Sequence, residues 1–171
     1  TMVAASSFVN PDHADVASEV VNPTVAPSGE IGGIGRTDNF IEIDVDYGDA
    51  QTGVLRAYDT TATFTQGIFI DEVAGALRLH AVETIHDVSL RTTDGSIIDA
   101  RDDDAANIIG RIVDLDANGA GANIGEDGDP LEIDSRIGLT PVSSLDANVD
   151  DVALEATGSI WLTETDGELR L

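Results

Sequence analysis

The chain has 171 residues, of which 33 are acidic and 8 are basic, so its formal net charge is −25. Charge of this sign repels nucleic acid and anionic lipid, and we expect no nucleic-acid partner and no membrane insertion. Cysteine is absent, which excludes disulfide bonds, thiolate metal sites and cysteine nucleophiles.

Short strands separated by turns follow one another along the chain. Residues 1–35 show no clear pattern, whereas apolar and polar residues alternate from residue 41 onwards, as is typical of strands with one buried face. In chain order the alternating apolar sets are Ile41/Ile43/Val45, Ile68/Ile70, Leu77/Leu79, Val88/Leu90, Leu131/Ile133, Val152/Leu154, Ile160/Leu162 and Leu169/Leu171. Turn-forming residues lie between them, for example at 93–96, 117–119 and 126–130. No stretch has a helical period, so the sequence predicts an all-β fold.

The chain also repeats itself. Residues 34–44 return as 124–134 at a shift of 90, and residues 68–79 return as 160–171 at a shift of 92. Leu55 and Ala57 match Leu145 and Ala147, again at 90. Self-similarity at a fixed period is typical of chains built from stacked units. We assign residues 1–79 to a first, partial copy and residues 80–171 to a second, and expect one continuous solenoid excerpted from a longer chain.

Two all-β architectures suit a repeat of this length. One is a parallel β-helix, in which each repeat supplies several coils, and the other is a string of immunoglobulin-like β-sandwiches. Short strands and an aromatic content of 4% favour the β-helix, because aliphatic side chains can stack from coil to coil. We therefore predict a parallel β-helix with about four coils of ~22 residues in each repeat.

The motifs of the second copy follow the pattern DVxLxTxDGSIxDA, LxANGxxxxIG, PLEID and IxLTE, over residues 87–100, 115–125, 130–134 and 160–164. In this pattern the chain resembles the repeat region of filamentous-haemagglutinin-like giant surface proteins of bacteria. The resemblance implies a right-handed parallel β-helix in a long exported fibre, located outside the cell or on its surface. It implies no catalytic residues, so we expect no enzyme.

The function expected from these features is structural, as a stiff acidic rod or scaffold of a surface fibre or adhesin. Isolated end coils such as residues 160–171 would leave open strand edges. We therefore expect as partners either neighbouring repeats of the same chain or identical subunits that associate end to end. The alternative is a calcium-dependent adhesive or carbohydrate-binding module, for which cell-surface glycans would be the partners.

One motif predicts a metal ligand set. Asp114, Asp116 and Asn118 precede Gly119 in the spacing D-x-D-x-N-G, which opens a calcium-binding loop. The match then ends, because Gly125 occupies the twelfth position, where such loops carry glutamate. The alternative interpretation is a strand that ends in a polar turn. Calcium is the only ligand that the sequence indicates, and no other cofactor is expected.

Other polar clusters carry weaker indications. The run 101–104 (Arg-Asp-Asp-Asp) and the acidic residues near 146–151 resemble solvated loops more than sites that hold a sugar. The histidines His13, His80 and His86 do not share a metal-ligand spacing.

Overall fold

The protein is described from a computed structural model, which describes residues 2–4, 32–45, 53–60, 65–101, 103–135, 152–167, 169 and 171. This part of the chain forms thirteen strands and no helix long and apolar enough to cross a membrane. The strands are β1 (Met2–Ala4), β2 (Gly32–Ile34), β3 (Ile41–Ile43), β4 (Leu55–Asp59), β5 (Thr65–Glu72), β6 (Leu77–Glu83), β7 (Asp87–Thr92), β8 (Ile97–Asp99), β9 (Ile108–Ile109), β10 (Val113–Ala117), β11 (Leu131–Asp134), β12 (Val152–Ala156) and β13 (Leu162–Glu164). The residues Leu145 and Ala147, which carry one match of the repeat, lie outside these ranges.

The strands form two sheets. The first has the order β1-β4-β6-β9-β11-β13, with β8 also paired to β6, and the second has the order β12-β10-β7-β5-β2, with β3 also paired to β5. Every strand pairing in the described ranges is parallel. Because the chain passes alternately between the sheets, it forms the coils of a parallel β-helix. The predicted fold class is confirmed, and the antiparallel sandwich alternative is not the arrangement found.

The core consists of aliphatic rows that run from coil to coil. In the second sheet Ile70, Leu90 and Leu115 stand in register on β5, β7 and β10, and all three are fully buried. In the first sheet Leu77 of β6 pairs with Ile97 of β8, which bridges to Ile124. Parallel in-register pairing places like residues directly over one another, so the alternation seen in the sequence becomes a continuous apolar interior.

Burial falls away at the β12 and β13 edge. Ile160 is 42% exposed and Leu171 is 85% exposed, although their counterparts one repeat earlier, Ile68 and Leu79, are fully buried. Ile68 lies between Ile34 and Val88 of the adjacent strands, whereas Ile160 has a described neighbour only at Ile124. The strand pattern is the same in both copies, and Ile160 is more exposed because the described residues cover it on one side only.

The two copies of the repeat share their local structure. Each contains a tight turn closed by an antiparallel bridge, Arg36 with Asn39 and Glu126 with Asp129. The glycine before each turn, Gly35 or Gly125, has a positive φ, 72° or 69°. A Cβ at Gly35 would collide with the carbonyl oxygen of Phe69, and a Cβ at Gly125 with that of Trp161. Both the backbone angle and the close approach therefore require glycine.

A glutamate that binds a backbone N–H group repeats in the same way. The carboxylate of Glu72 accepts hydrogen bonds from the backbone N–H of Val45 at 3.1 and 3.0 Å. One copy later, Glu164 accepts the N–H of Ser135 at 3.0 Å and its hydroxyl at 2.7 Å. In both copies the glutamate side chain thus satisfies a backbone donor just beyond the end of the neighbouring strand.

The repeat does not contain a whole number of coils. Between Ile34 and its counterpart Ile124 the chain passes from one sheet to the other seven times, through β4 to β10 and on to the strand position of Ile124. Seven passages are three and a half coils, whereas the repeat length had predicted about four. Equivalent residues of successive copies therefore lie in opposite sheets. The assigned boundary between residues 79 and 80 falls inside β6, and pairing continues across it.

Candidate functional site

The predicted calcium ligands lie on and just after β10. Asp114 is exposed and accepts a hydrogen bond from the hydroxyl of Ser89 at 2.8 Å, and Asp116 is half-buried on the same outward face. The N–H of Asn118 donates to the hydroxyl of Thr92 at 3.1 Å. In a strand, alternate residues are about 7 Å apart, so this segment extends along the sheet and does not curl around an ion.

Metal-binding groups are not brought together elsewhere in the part that the structure describes. There, no group of three or more His, Asp or Glu side chains is close enough to hold a metal ion. Calcium binding at Asp114, Asp116 and Asn118 stays a prediction. His13, Asp102 and the acidic residues at 146, 150 and 151 lie outside the described ranges.

Asp114 instead lines a groove of about 370 Å³ on the outer face of the second sheet. Register places Phe69, Ser89 and Asp114 in one row across β5, β7 and β10. The ring of Phe40 meets that of Phe69 edge to face, with 5.7 Å between the centroids, and extends the row by one aromatic ring. The groove is therefore lined at one end by the half-buried ring of Phe40 and the largely buried ring of Phe69, and at the other by hydroxyl and carboxylate oxygens.

Ion pairs along the coils hold this outer face in place. The Arg91 guanidinium lies 4.1 Å from the centroid of the Phe40 ring and bonds Asp71 at 2.7 Å. Arg111 bonds Asp87, which lines the groove, at 2.8 Å. Arginine suits both contacts because its planar guanidinium stacks on a ring and binds a carboxylate at the same time.

A second pocket, of about 330 Å³, lies over β11 in the first sheet. It is lined by acidic side chains from three segments: Asp103 and Asp104 of the loop after β8, Asp129 of the turn that precedes β11, and Glu132 of β11 itself. Thr163 of β13 lines its far side. We call these five residues and the volume between them the acidic pocket.

Glu132 is the unusual residue of the acidic pocket. It is only 6% exposed, and its Oε2 atom is buried without a hydrogen-bond partner. Burial is the main cause that raises the pKa of Glu132 to about 7, and the neighbouring carboxylate of Asp99 adds to it, followed by those of Asp129 and Asp104. Near neutral pH this side chain is therefore divided between its acid and its carboxylate form.

Asn107 holds Glu132 and its surroundings in place through hydrogen bonds. Its side chain is fully buried, and its Oδ1 accepts the backbone N–H of Glu132 at 3.0 Å. Its Nδ2 donates to the carbonyl of Leu79 at 3.3 Å and to the carboxylate of Asp99. One amide thus joins β6, the end of β8 and β11, and holds Asp99 near Glu132.

Neither Glu132 nor Asn107 was predicted from the sequence as a site residue. Glu132 lies between Leu131 and Ile133, so the alternation predicted only an outward polar side chain. Asn107 lies in a short polar link that carries no motif. The one signal available was Glu42, which occupies the position of Glu132 in the first copy.

The class of protein that this geometry defines is a parallel β-solenoid with an internal repeat. Comparison with protein-family models, with curated proteins and with solved structures finds no match for the chain. Functional conclusions therefore rest on the residues themselves.

Proposed function

We propose that this chain is a structural repeat segment of an exported bacterial surface fibre or adhesin, in which it acts as a stiff acidic rod outside the cell or on its surface. The observation that carries the proposal is the continuity of the stack. Buried rows such as Ile70, Leu90 and Leu115 run from coil to coil, and the turn before β3 returns before β11 in the same form. A unit that repeats and stacks on itself extends in one direction only.

The partner that fits the β12 and β13 edge is another coil of the same repeat, from a neighbouring repeat or from an identical subunit. The counterpart of Ile160 is Ile68, and the strand that covers Ile68 is β7, through Val88. A strand patterned like β7 would bury Ile160 and pair with the open backbone edge of this strand position. The net charge of −25 opposes side-by-side contact between rods. We therefore expect subunits to associate through their ends.

The test is the length added by each repeat. Chains with two, four and six tandem 90-residue copies are imaged by electron microscopy at moderate salt. Three and a half coils at a strand spacing of about 4.8 Å add roughly 17 Å per copy, as a straight rod. Length that does not increase linearly with copy number, or chains that fold back on themselves, would contradict the rod. Antibody labelling of intact, unpermeabilised source cells tests the surface location separately.

A second function, carbohydrate binding, is favoured by the groove beside Phe40 and Phe69. Sugars bind to aromatic faces with carboxylate and hydroxyl acceptors beside them, and Asp87, Ser89 and Asp114 supply these acceptors. If the groove binds glycans, Phe40→Ala abolishes retention on immobilised cell-surface glycans, and the exposed control Thr93→Ala does not. Repeating the assay with calcium and with a chelator tests the predicted ligands Asp114, Asp116 and Asn118.

A further inference from the structure

The acidic pocket brings four carboxylates together. None of the side chains that line it is basic, and its four carboxylates come from segments that are separate in the chain. Arg101, at the start of the loop, pairs with Asp103 at 3.3 Å and donates to the carbonyl of Ala106, so its guanidinium is already engaged at the rim. Asp104, Asp129 and Glu132 supply the other carboxylates that line the pocket.

Glu132 provides the pocket with an unsatisfied hydrogen-bond acceptor. Its Oε2 is buried and accepts no hydrogen bond, and a buried polar atom without a partner costs free energy. Asp99, Asp104 and Asp129 all oppose ionisation of this carboxyl. A positively charged hydrogen-bond donor that entered the pocket would satisfy Oε2 and offset the repulsion among the carboxylates.

The shape of the site selects the kind of cation. The described carboxylates do not converge as a metal ion requires, but surround a volume of about 330 Å³. A guanidinium group has five N–H donors that point outward in one plane, so it can reach several separated carboxylates together. An ammonium group concentrates its three donors at one point and matches this spread less well.

We propose that the acidic pocket binds a guanidinium group, supplied by an arginine side chain of a peptide or by a small alkylguanidine. The carboxylates of Glu132, Asp104 and Asp129 accept hydrogen bonds from its N–H groups. Asn107 fixes the position of Glu132 by accepting a hydrogen bond from its backbone N–H. This interaction is independent of the rod role and would let the fibre hold a second component on its flank.

Binding of the guanidinium is coupled to the loss of a proton from Glu132. The guanidinium requires Glu132 as a carboxylate, and the surrounding ionisable groups are Asp99 on β8, Arg101, Asp103 and Asp104 on the loop, and Asp129 on the turn. With half-ionisation of Glu132 near pH 7, affinity rises about tenfold from pH 6 to pH 8, and binding at pH 7 releases a fraction of a proton.

The experiment is calorimetric titration of the whole chain at low salt and pH 8. The probes are the blocked tripeptide Gly-Arg-Gly, its Gly-Lys-Gly analogue, and ethylguanidine. We expect the arginine peptide to bind more tightly than the lysine peptide. Binding of ethylguanidine at similar strength identifies a small-molecule site, whereas a clear preference for the peptide identifies a protein partner. Low salt limits screening of the exposed carboxylates.

The matched variants are Glu132→Gln and Glu42→Gln, which remove one negative charge at equivalent positions of the two copies. Glu132→Gln should weaken binding at least about tenfold, through the loss of a charged hydrogen bond, and Glu42→Gln should leave it unchanged. Equal weakening by both variants, equal binding of arginine and lysine peptides, or no binding at millimolar concentration would each overturn the proposal. So would stoichiometric displacement by calcium at constant ionic strength. If Glu132→Gln fails to fold, the pH dependence of the unaltered chain decides instead.

Discussion

Two isoleucines at equivalent positions of the repeat provide a direct measure of what a neighbouring coil contributes. Ile68 is fully buried between Ile34 and Val88, and Ile160 is 42% exposed with a described neighbour on one side only, at Ile124. Changing each to alanine removes the same three carbons. The two variants differ only in how completely the removed atoms are covered.

The expected loss is larger at Ile68. Three buried carbons correspond to about 2.4 kcal/mol of transfer free energy, and the cavity left between rigid strands brings the total to about 3–4 kcal/mol. At Ile160 roughly half of that transfer energy is at stake and no closed cavity forms, so the loss should be about 1 kcal/mol.

The measurement is the free energy of unfolding from urea titration followed by circular dichroism, at low protein concentration. Similar slopes against urea for both variants are needed for the comparison. If Ile68→Ala and Ile160→Ala lower the free energy of unfolding equally, coil stacking is not the reason that the two isoleucines differ. If subunits associate end to end, the loss for Ile160→Ala should increase with protein concentration, since association buries that side chain.

Three further predictions concern the polar framework and the turns. Asn107→Ala should cost about 3 kcal/mol, because it leaves the buried N–H of Glu132 without an acceptor, whereas Asn123→Ala, with a single exposed side-chain contact, should cost under about 1 kcal/mol in the same urea assay. Gly125→Ala should cost at least about 2 kcal/mol, since it combines a positive φ with a collision at the Trp161 carbonyl; a melting temperature within about 2 °C of the unaltered chain would contradict this. The pKa of Glu132 is raised from 4.5 to about 7 in the folded state, so the folded chain binds more protons in that interval and its stability falls as pH rises through it. Glu132→Gln should remove this fall, so that between pH 4.5 and 8 the free energy of unfolding of the variant rises by up to about 3 kcal/mol relative to the unaltered chain. Parallel curves of stability against pH for the two proteins would contradict this prediction.

The regular part of the fold could be predicted from sequence because its signal is local. The alternation at Leu77/Leu79 and Val88/Leu90 reports which side chains face inward, and aliphatic residues with few aromatics indicate stacked coils. The repeat at shifts of 90 and 92 was visible, and the structure shows that it places the same turn and an equivalent hydrogen-bonded glutamate in each copy. These features depend on neighbours within a few positions or on direct identity.

The polar sites could not be predicted because they depend on which coils meet. The Oε2 atom of Glu132 is buried without a hydrogen-bond partner, and Asp99 and Asp104, which raise the pKa of this carboxyl, come near it only because the coils stack. The motif at Asp114 suggested a calcium loop or, alternatively, a strand that ends in a polar turn. The structure has the second arrangement, because Asp114 and Asp116 lie on β10 and Asn118 follows it. Leu171 matches the buried Leu79 in sequence but is 85% exposed, because burial depends on coverage by neighbouring strands and not on the local pattern.

The odd number of half-coils in each repeat has a consequence for any rod built from tandem copies of this repeat, as we propose. A patch carried by one copy faces one side of the rod, and the same patch on the next copy faces the other, so that only every second copy restores the original direction. A row of identical patches thus divides into two rows on opposite flanks, each with a spacing of roughly 34 Å. Such a rod would be two-sided by construction, and a single molecule could bridge two surfaces that lie on either side of it.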